Sequence, residues 1–174
     1  MIDKVKPPVK ADLSEYYQSY WDYLQSDDLL LEMKNQFRES LEAFGAFRAT
    51  DGGPAYAPGK WSVKQLLGHL IDCERIFQFR ALSCARGERA ALPAFDEDLY
   101  AQTSRSDDRS LDEMLEEWSV VRRAYECLIE PFDEAEWDRA GVANGREVSN
   151  RILLYFVIVH ARHHTRILKE RYGK

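Results

Sequence analysis

The stretch RILLYFVIVHARHHTRILKERY, residues 151–172, constrains the fold more than any other. Leu153, Phe156, Val157, Ile167 and Leu168 recur at helical spacing, which predicts one helix near the C-terminus with a buried stripe. His160 and His164 lie on that stripe. Four residues at about 100° each leave the two rings about 40° apart and one turn along the axis. Two imidazoles so placed can bind one metal ion, as H-x-x-x-H pairs do in zinc enzymes. The competing reading is a pair of core histidines with satisfied hydrogen bonds, although neutral imidazoles are costly to bury without partners. A pair supplies only two ligands, so a metal site needs a third from elsewhere in the chain.

At 174 residues the chain is expected to form one domain, 1–174, with a sizeable core. Residues 1–12, which carry Pro7 and Pro8, read as a mobile lead-in. Apolar residues at 45% and charged residues at 31% suit an ordinary globular protein. The net charge of −6 argues against nonspecific nucleic-acid binding, which needs a basic surface. The first residues contain no apolar segment of the secretory type. The longest apolar run, Ile152 to His160, is about half of what a bilayer span requires, so no membrane role is expected. Cys73, Cys84 and Cys127 show no C-x-x-C spacing, which fits a reduced, cytoplasmic protein.

Four long amphipathic helices are predicted. After a short helix over Ser14 to Gln25, the first runs from about Asp28 to Phe47 on the stripe Leu30, Met33, Phe37, Leu41 and Phe44. The loop TDGGPAYAPGK follows as a connector. The second long helix starts at a capping box, Ser62 with Gln65, and a hydrophobic staple, Trp61 with Leu66. Its inner stripe includes Leu66, Leu70, Glu74 and Phe77, and Gly87 stops it. Residues 88–109 read as a long connection that covers one end of the bundle. A second capping box, Ser110 with Glu113, opens the third helix, which Pro131 ends. FDEAEWDRAGVANGREVS reads as a connector with one helical turn at Asp133 to Trp137, and Ser149 caps the last helix. No segment alternates with period two beyond a few residues. The pattern is that of an all-α four-helix bundle, an architecture that builds metal sites from facing helices.

The chain has four histidines: His69, His160, His163 and His164. His69 stands near the inner face of the second long helix. If that helix lies beside the last one, His69 completes a site with His160 and His164. Three neutral imidazoles leave a coordination position open, the mark of a catalytic metal site rather than a structural one. His163, on the flank of the stripe, is a ligand in place of His164, a supporting group or a surface residue.

The stretches YAPGKWSVKQLLGHLIDCERIFQFRAL, LPAFDEDLYA, GVANGREVS and HARHHTRILKERY resemble the DinB/YfiT-like superfamily, in its DinB_2-type branch. The family's metal triad is one histidine in the motif that reads GHLIDCER here plus the first and last histidines of H-x-x-H-H. The resemblance therefore implies His69, His160 and His164 as ligands of one divalent ion, Zn²⁺ or Ni²⁺. Ala161 departs from relatives that carry Glu at that position. The resemblance implies a thiol-dependent S-transferase that uses a low-molecular-weight thiol on a small electrophile. A metal-dependent hydrolase and a non-enzymatic, dimeric metal-binding or stress-response bundle are the alternatives. Relatives often pair through helix faces, which implies a homodimer, although no exposed apolar face in the sequence fixes one.

Other candidates carry more than one reading. Cys73 is a fourth ligand or a small buried hydrophobe. Glu74 orients an imidazole or acts as a base, or else forms a salt bridge to an arginine, such as Arg75 or Arg80, in or near the core. Asp96, Glu97 and Asp98 steer a substrate, cap a helix or form a solvated turn. Trp61, Trp118 and Tyr100 are core or rim aromatics, or one of them lines a pocket mouth. Cys84 and Cys127 are expected in the packing. There is no G-x-S-x-G, P-loop or dinucleotide fingerprint.

Overall fold

The structure is a computed structural model that describes residues 4–173. Four long helices form the bundle. With the shorter elements numbered in chain order, these are α2 (Leu29–Gly45), α3 (Val63–Ala85), α5 (Leu111–Ile129) and α7 (Asn150–Ile167). Their starts follow local chemistry. Asp28 accepts from Leu30 and Leu31 N–H at α2, and Ser149 accepts from Ile152 N–H at α7. Ser62–Gln65 and Ser110–Glu113 form the two capping boxes that open α3 and α5. Helix α7 packs between α2 and α3, and α5 closes the ring against α3 and α2.

The N-terminal region differs from expectation. A single turn, α1 (Glu15–Gln18), and a 3-10 turn at Trp21–Tyr23 replace the helix expected over Ser14 to Gln25. The lead-in is tied down from Lys4 onward; residues 1–3 lie outside the described residues. Val5 is buried in the core, and its carbonyl accepts from Leu29 N–H at 2.8 Å.

The long connection also holds more structure than the sequence suggested. It contains α4 (Glu97–Thr103), capped by Asp96, and a 3-10 turn at Ser106–Asp108. After α5 comes α6 (Glu134–Asp138), with its own capping box from Asp133 and Glu136.

GVANGREVS, expected to be irregular, forms an antiparallel hairpin of β1 (Ala140–Ala143) and β2 (Arg146–Ser149). Asn144 and Gly145 have φ of 51° and 69°, the conformation a two-residue hairpin turn needs. Leu92 ties the long connection to this hairpin, donating to Val142 O at 2.8 Å and accepting from Asn144 N–H at 3.1 Å.

Two apolar clusters fill the bundle. One gathers Phe77, Tyr125, Trp137, Leu154 and Phe156 with the N-terminal segment; the other gathers Phe44, Leu67, Met114, Trp118 and Leu168. Two buried ion pairs cross between helices. Arg122 of α5 meets Glu74 of α3 at 2.5 Å, and Arg162 of α7 meets Glu32 of α2 at 2.6 Å. The second pair, with the hydrogen bond between Ser40 and Thr165 at 2.6 Å, sets the register of α7 against α2.

Candidate metal centre

The register of α7 decides where its histidines point. His160 and His164, one turn apart, face α3, and His69 of α3 faces them. The Nε2 of His160 lies 3.1 Å from Nε2 of His164 and 3.4 Å from Nε2 of His69. The three ligand atoms all fall within 4.8 Å of one another. For a tetrahedral ion at about 2.0–2.1 Å from each nitrogen, adjacent nitrogens stand about 3.3 Å apart. Both short separations match that edge length. Hydrogen bonding alone is a poor account of the cluster, because His164 Nδ1 is buried without a protein partner.

The rings are held by aromatic neighbours. Trp61, at the head of α3, stacks 4.6 Å from His69 and 6.4 Å from His164, centroid to centroid. Phe156 lies 5.3 Å from His160. Tyr172, in the π-turn Leu168–Tyr172 that extends α7, donates to Trp61 O at 2.7 Å and fixes the Trp61 backbone.

Burial keeps all three imidazoles neutral. The His69 pKa is pushed down to about 4 by desolvation, opposed slightly by Asp98. His160 and His164 are held well below the usual histidine value, first by burial and then by the neighbouring histidines. A neutral imidazole has its lone pair free, so at pH 7 the triad is ready to ligate without losing a proton.

The other candidates fall outside this cluster. His163 Nδ1 shares a hydrogen bond with the Tyr23 hydroxyl at 2.9 Å. Cys73 Sγ lies 3.5 Å from His69 Nε2, beside the triad, and burial raises its thiol pKa far above the ordinary value in the metal-free protein. Glu74 touches none of the histidines. It accepts from Arg122 Nε at 2.5 Å and Trp118 Nε1 at 2.8 Å, so the expected ion pair with a core arginine forms, and that arginine is Arg122. Asp96 caps α4, while Glu97 and Asp98 line cavities beside the triad. Trp118 is core and Tyr100 is half-exposed against Phe95. Cys84 is buried as expected, whereas Cys127 is exposed because it faces away from the inner stripe of α5.

Two cavities reach the triad from different sides. One, about 210 Å³, touches His69 and His160 and is walled by Phe77, Phe156, Arg80 and the hairpin residue Arg146. The other, about 260 Å³, touches His164 between Trp61 and Tyr172. Arg146 was missed from sequence, whereas Trp61, rather than Trp118 or Tyr100, is the aromatic that lines a pocket mouth. The Asn-Gly pair at 144–145 was the local signal for the hairpin that carries Arg146.

The model for the DinB superfamily matches residues 20–168. A solved structure with TM-score 0.72 is similar over 99% of this chain and 95% of its own, at 16% identity. It is YfiT from Bacillus subtilis, described as "a probable metal-dependent hydrolase with an unusual four-helix bundle topology". At that identity the likeness speaks to the fold. No curated protein matches the chain.

Proposed function

The chain belongs to the DinB superfamily, and from that membership and the geometry of its histidines we propose a divalent-metal-dependent enzyme acting on a small molecule. His69, His160 and His164 hold one ion, Zn²⁺ or Ni²⁺, and residues 1–174 work as one domain. The observation that carries this reading is the convergence of three neutral imidazoles, two of them at the edge of one cavity and the third at the edge of another. Three protein ligands leave a position for an exchangeable group. The ion would lower the pKa of a thiol or water and so supply a nucleophile at neutral pH.

The chain's own residues do the rest. Phe77, Phe156 and Tyr17 make one side of the cavity apolar, which disfavours bulk water around a reacting group. Cys73 is only 3% exposed, which limits its access to a substrate, so the nucleophile is assigned to the ion's exchangeable position. The proposed reaction is S-transfer from a low-molecular-weight thiol to a small electrophile. Hydrolysis is the second reading, favoured by the description of YfiT. The three cysteines form no disulfide, which suits the reducing cytoplasm. No helix among the described residues is long and apolar enough to cross a membrane. A homodimer is expected from the habit of relatives, and the net charge of −6 gives no basis for nucleic-acid binding.

The test is the visible spectrum of the Co²⁺-substituted protein. An open site responds to added 2-mercaptoethanol or imidazole with new or shifted bands. An unchanged spectrum with either ligand would mean a closed, structural site and would remove the enzymatic reading.

A further inference from the structure

Among the described residues, three arginines and two carboxylates are buried: Arg80, Arg122 and Arg162 against Glu32 and Glu74. Arg122 takes Glu74 and Arg162 takes Glu32. Arg80 is left over. It is 6% exposed and forms no salt bridge among the described residues. Its one hydrogen bond among the described residues runs from Nη2 to Pro93 O at 2.9 Å, which leaves Nη1 and Nε without a protein acceptor. Phe77 and Phe95 lie about the guanidinium at 6.0 and 5.9 Å from their ring centroids, a weak substitute for an anion. Neither Nη1 nor Nε is among the fully enclosed polar atoms that lack a partner, so both open onto the cavity, where an anion can reach them.

Arg80 faces the cavity that touches His69 and His160. Arg146 enters the same cavity from the hairpin, its guanidinium stacked 4.6 Å from the Tyr16 ring; Nη1 donates a long hydrogen bond to Asn144 O at 3.5 Å, and no salt bridge forms among the described residues. Two guanidiniums thus point into a space of about 210 Å³ beside the triad. The acidic residue on the wall is Glu97, which is exposed and pairs with neither arginine. Guanidinium is the side chain suited to planar, two-pronged recognition of carboxylate. The volume is below that of a drug-sized pocket, about 300–1,000 Å³, so the ligand has few heavy atoms.

We propose that Arg80 and Arg146 form a carboxylate-binding subsite, and that the small molecule brought to the triad carries a carboxylate group. Arg80 is the buried anchor, and Arg146, on the rim, closes over the second oxygen. Both are specificity residues. The assignment of the bound molecule as a substrate rests on the metal reading above; the anion site itself does not.

The experiment compares 3-mercaptopropionate with the neutral 3-mercaptopropan-1-ol on Co²⁺-loaded protein, following the thiolate–cobalt absorption. The charged thiol binds tighter by about tenfold or more, the scale of a charge-assisted hydrogen-bond pair. Arg80→Gln and Arg146→Gln each reduce that preference. Cobalt content and affinity for the neutral thiol stay as in the parent. Glu97→Gln strengthens binding of the charged thiol, because it removes the opposing carboxylate. Equal affinity for the two thiols in the parent protein would overturn the proposal while leaving the metal reading intact. So would a preference that survives both arginine substitutions. If cobalt does not bind at all, the metal reading fails by itself. Calorimetric titration of the metal-free protein with 3-mercaptopropionate then decides the anion site. Affinity lost in Arg80→Gln supports it, and no binding in the parent rejects it.

Discussion

Glu74 sits five residues after His69 and invites assignment to the metal site, yet the structure puts it in a different network. Its two oxygens meet Arg122 at 2.5 and 3.1 Å and Trp118 Nε1 at 2.8 Å, and Arg122 is only 2% exposed. Replacing Glu74 with Leu strands a buried guanidinium on two weaker acceptors, Met33 O at 3.1 Å and Gln36 Oε1 at 3.4 Å. Removing one partner of a buried pair costs about 3–5 kcal/mol. The orphaned Trp118 N–H lies within the same network, so its loss is not simply added. With a urea slope of about 2 kcal/mol/M, the unfolding midpoint falls by about 2 M. Exchanging both residues, Glu74→Leu with Arg122→Leu, recovers most of that loss, because neither charge is then left buried alone. Metal content in the folded Glu74→Leu protein equals that of the parent. A midpoint shift below about 0.5 M would refute the stranded-charge argument. Loss of metal from a folded Glu74→Leu protein would return Glu74 to the metal site.

Three further outcomes are expected. His163→Ala removes the hydrogen bond to Tyr23 and costs about 1 kcal/mol, with metal content unchanged; loss of the ion would make His163 a ligand. For the metal-free protein, the His69 pKa of about 4 lies below its unfolded value of 6.5. The unfolded chain therefore takes up the proton first as pH falls. The stability held above pH 6.5 drops by about 3 kcal/mol by pH 4 from His69 alone, with His160 and His164 acting in the same direction. A urea midpoint that falls as steeply with acid in His69→Leu as in the parent would contradict this. In Gly68→Ala the new methyl collides with Ser106 Oγ and reaches Met114 Cε at 3.6 Å. This lowers Tm by an amount on the order of 5 °C, and an unchanged Tm would show that Ser106 yields freely.

What the sequence reveals follows the range of the interactions. The long helices are legible because their signals are local: Ser62–Gln65 and Ser110–Glu113 cap within three residues, and apolar residues repeat every three or four. The triad is legible in part for the same reason, since His160 and His164 share a helix face, but the arrival of His69 depends on how α3 packs against α7. The hairpin escapes a periodicity search because each strand has four residues, too few to establish alternation. The ion pairs escape for a different reason. Glu74 and Arg122 are 48 residues apart and Glu32 and Arg162 are 130 apart, and several arginines compete for each carboxylate until the bundle closes. The unmatched Arg80 becomes visible only once those pairs are assigned.

The most direct test of the metal centre is elemental analysis of untagged protein beside His160→Ala and His164→Ala. The geometry predicts about one divalent ion per chain in the parent, and loss of that ion in both variants while each remains helical by circular dichroism. A parent protein that neither carries nor takes up Zn²⁺, Ni²⁺ or Co²⁺ would contradict the metal reading, as would undiminished metal in either variant.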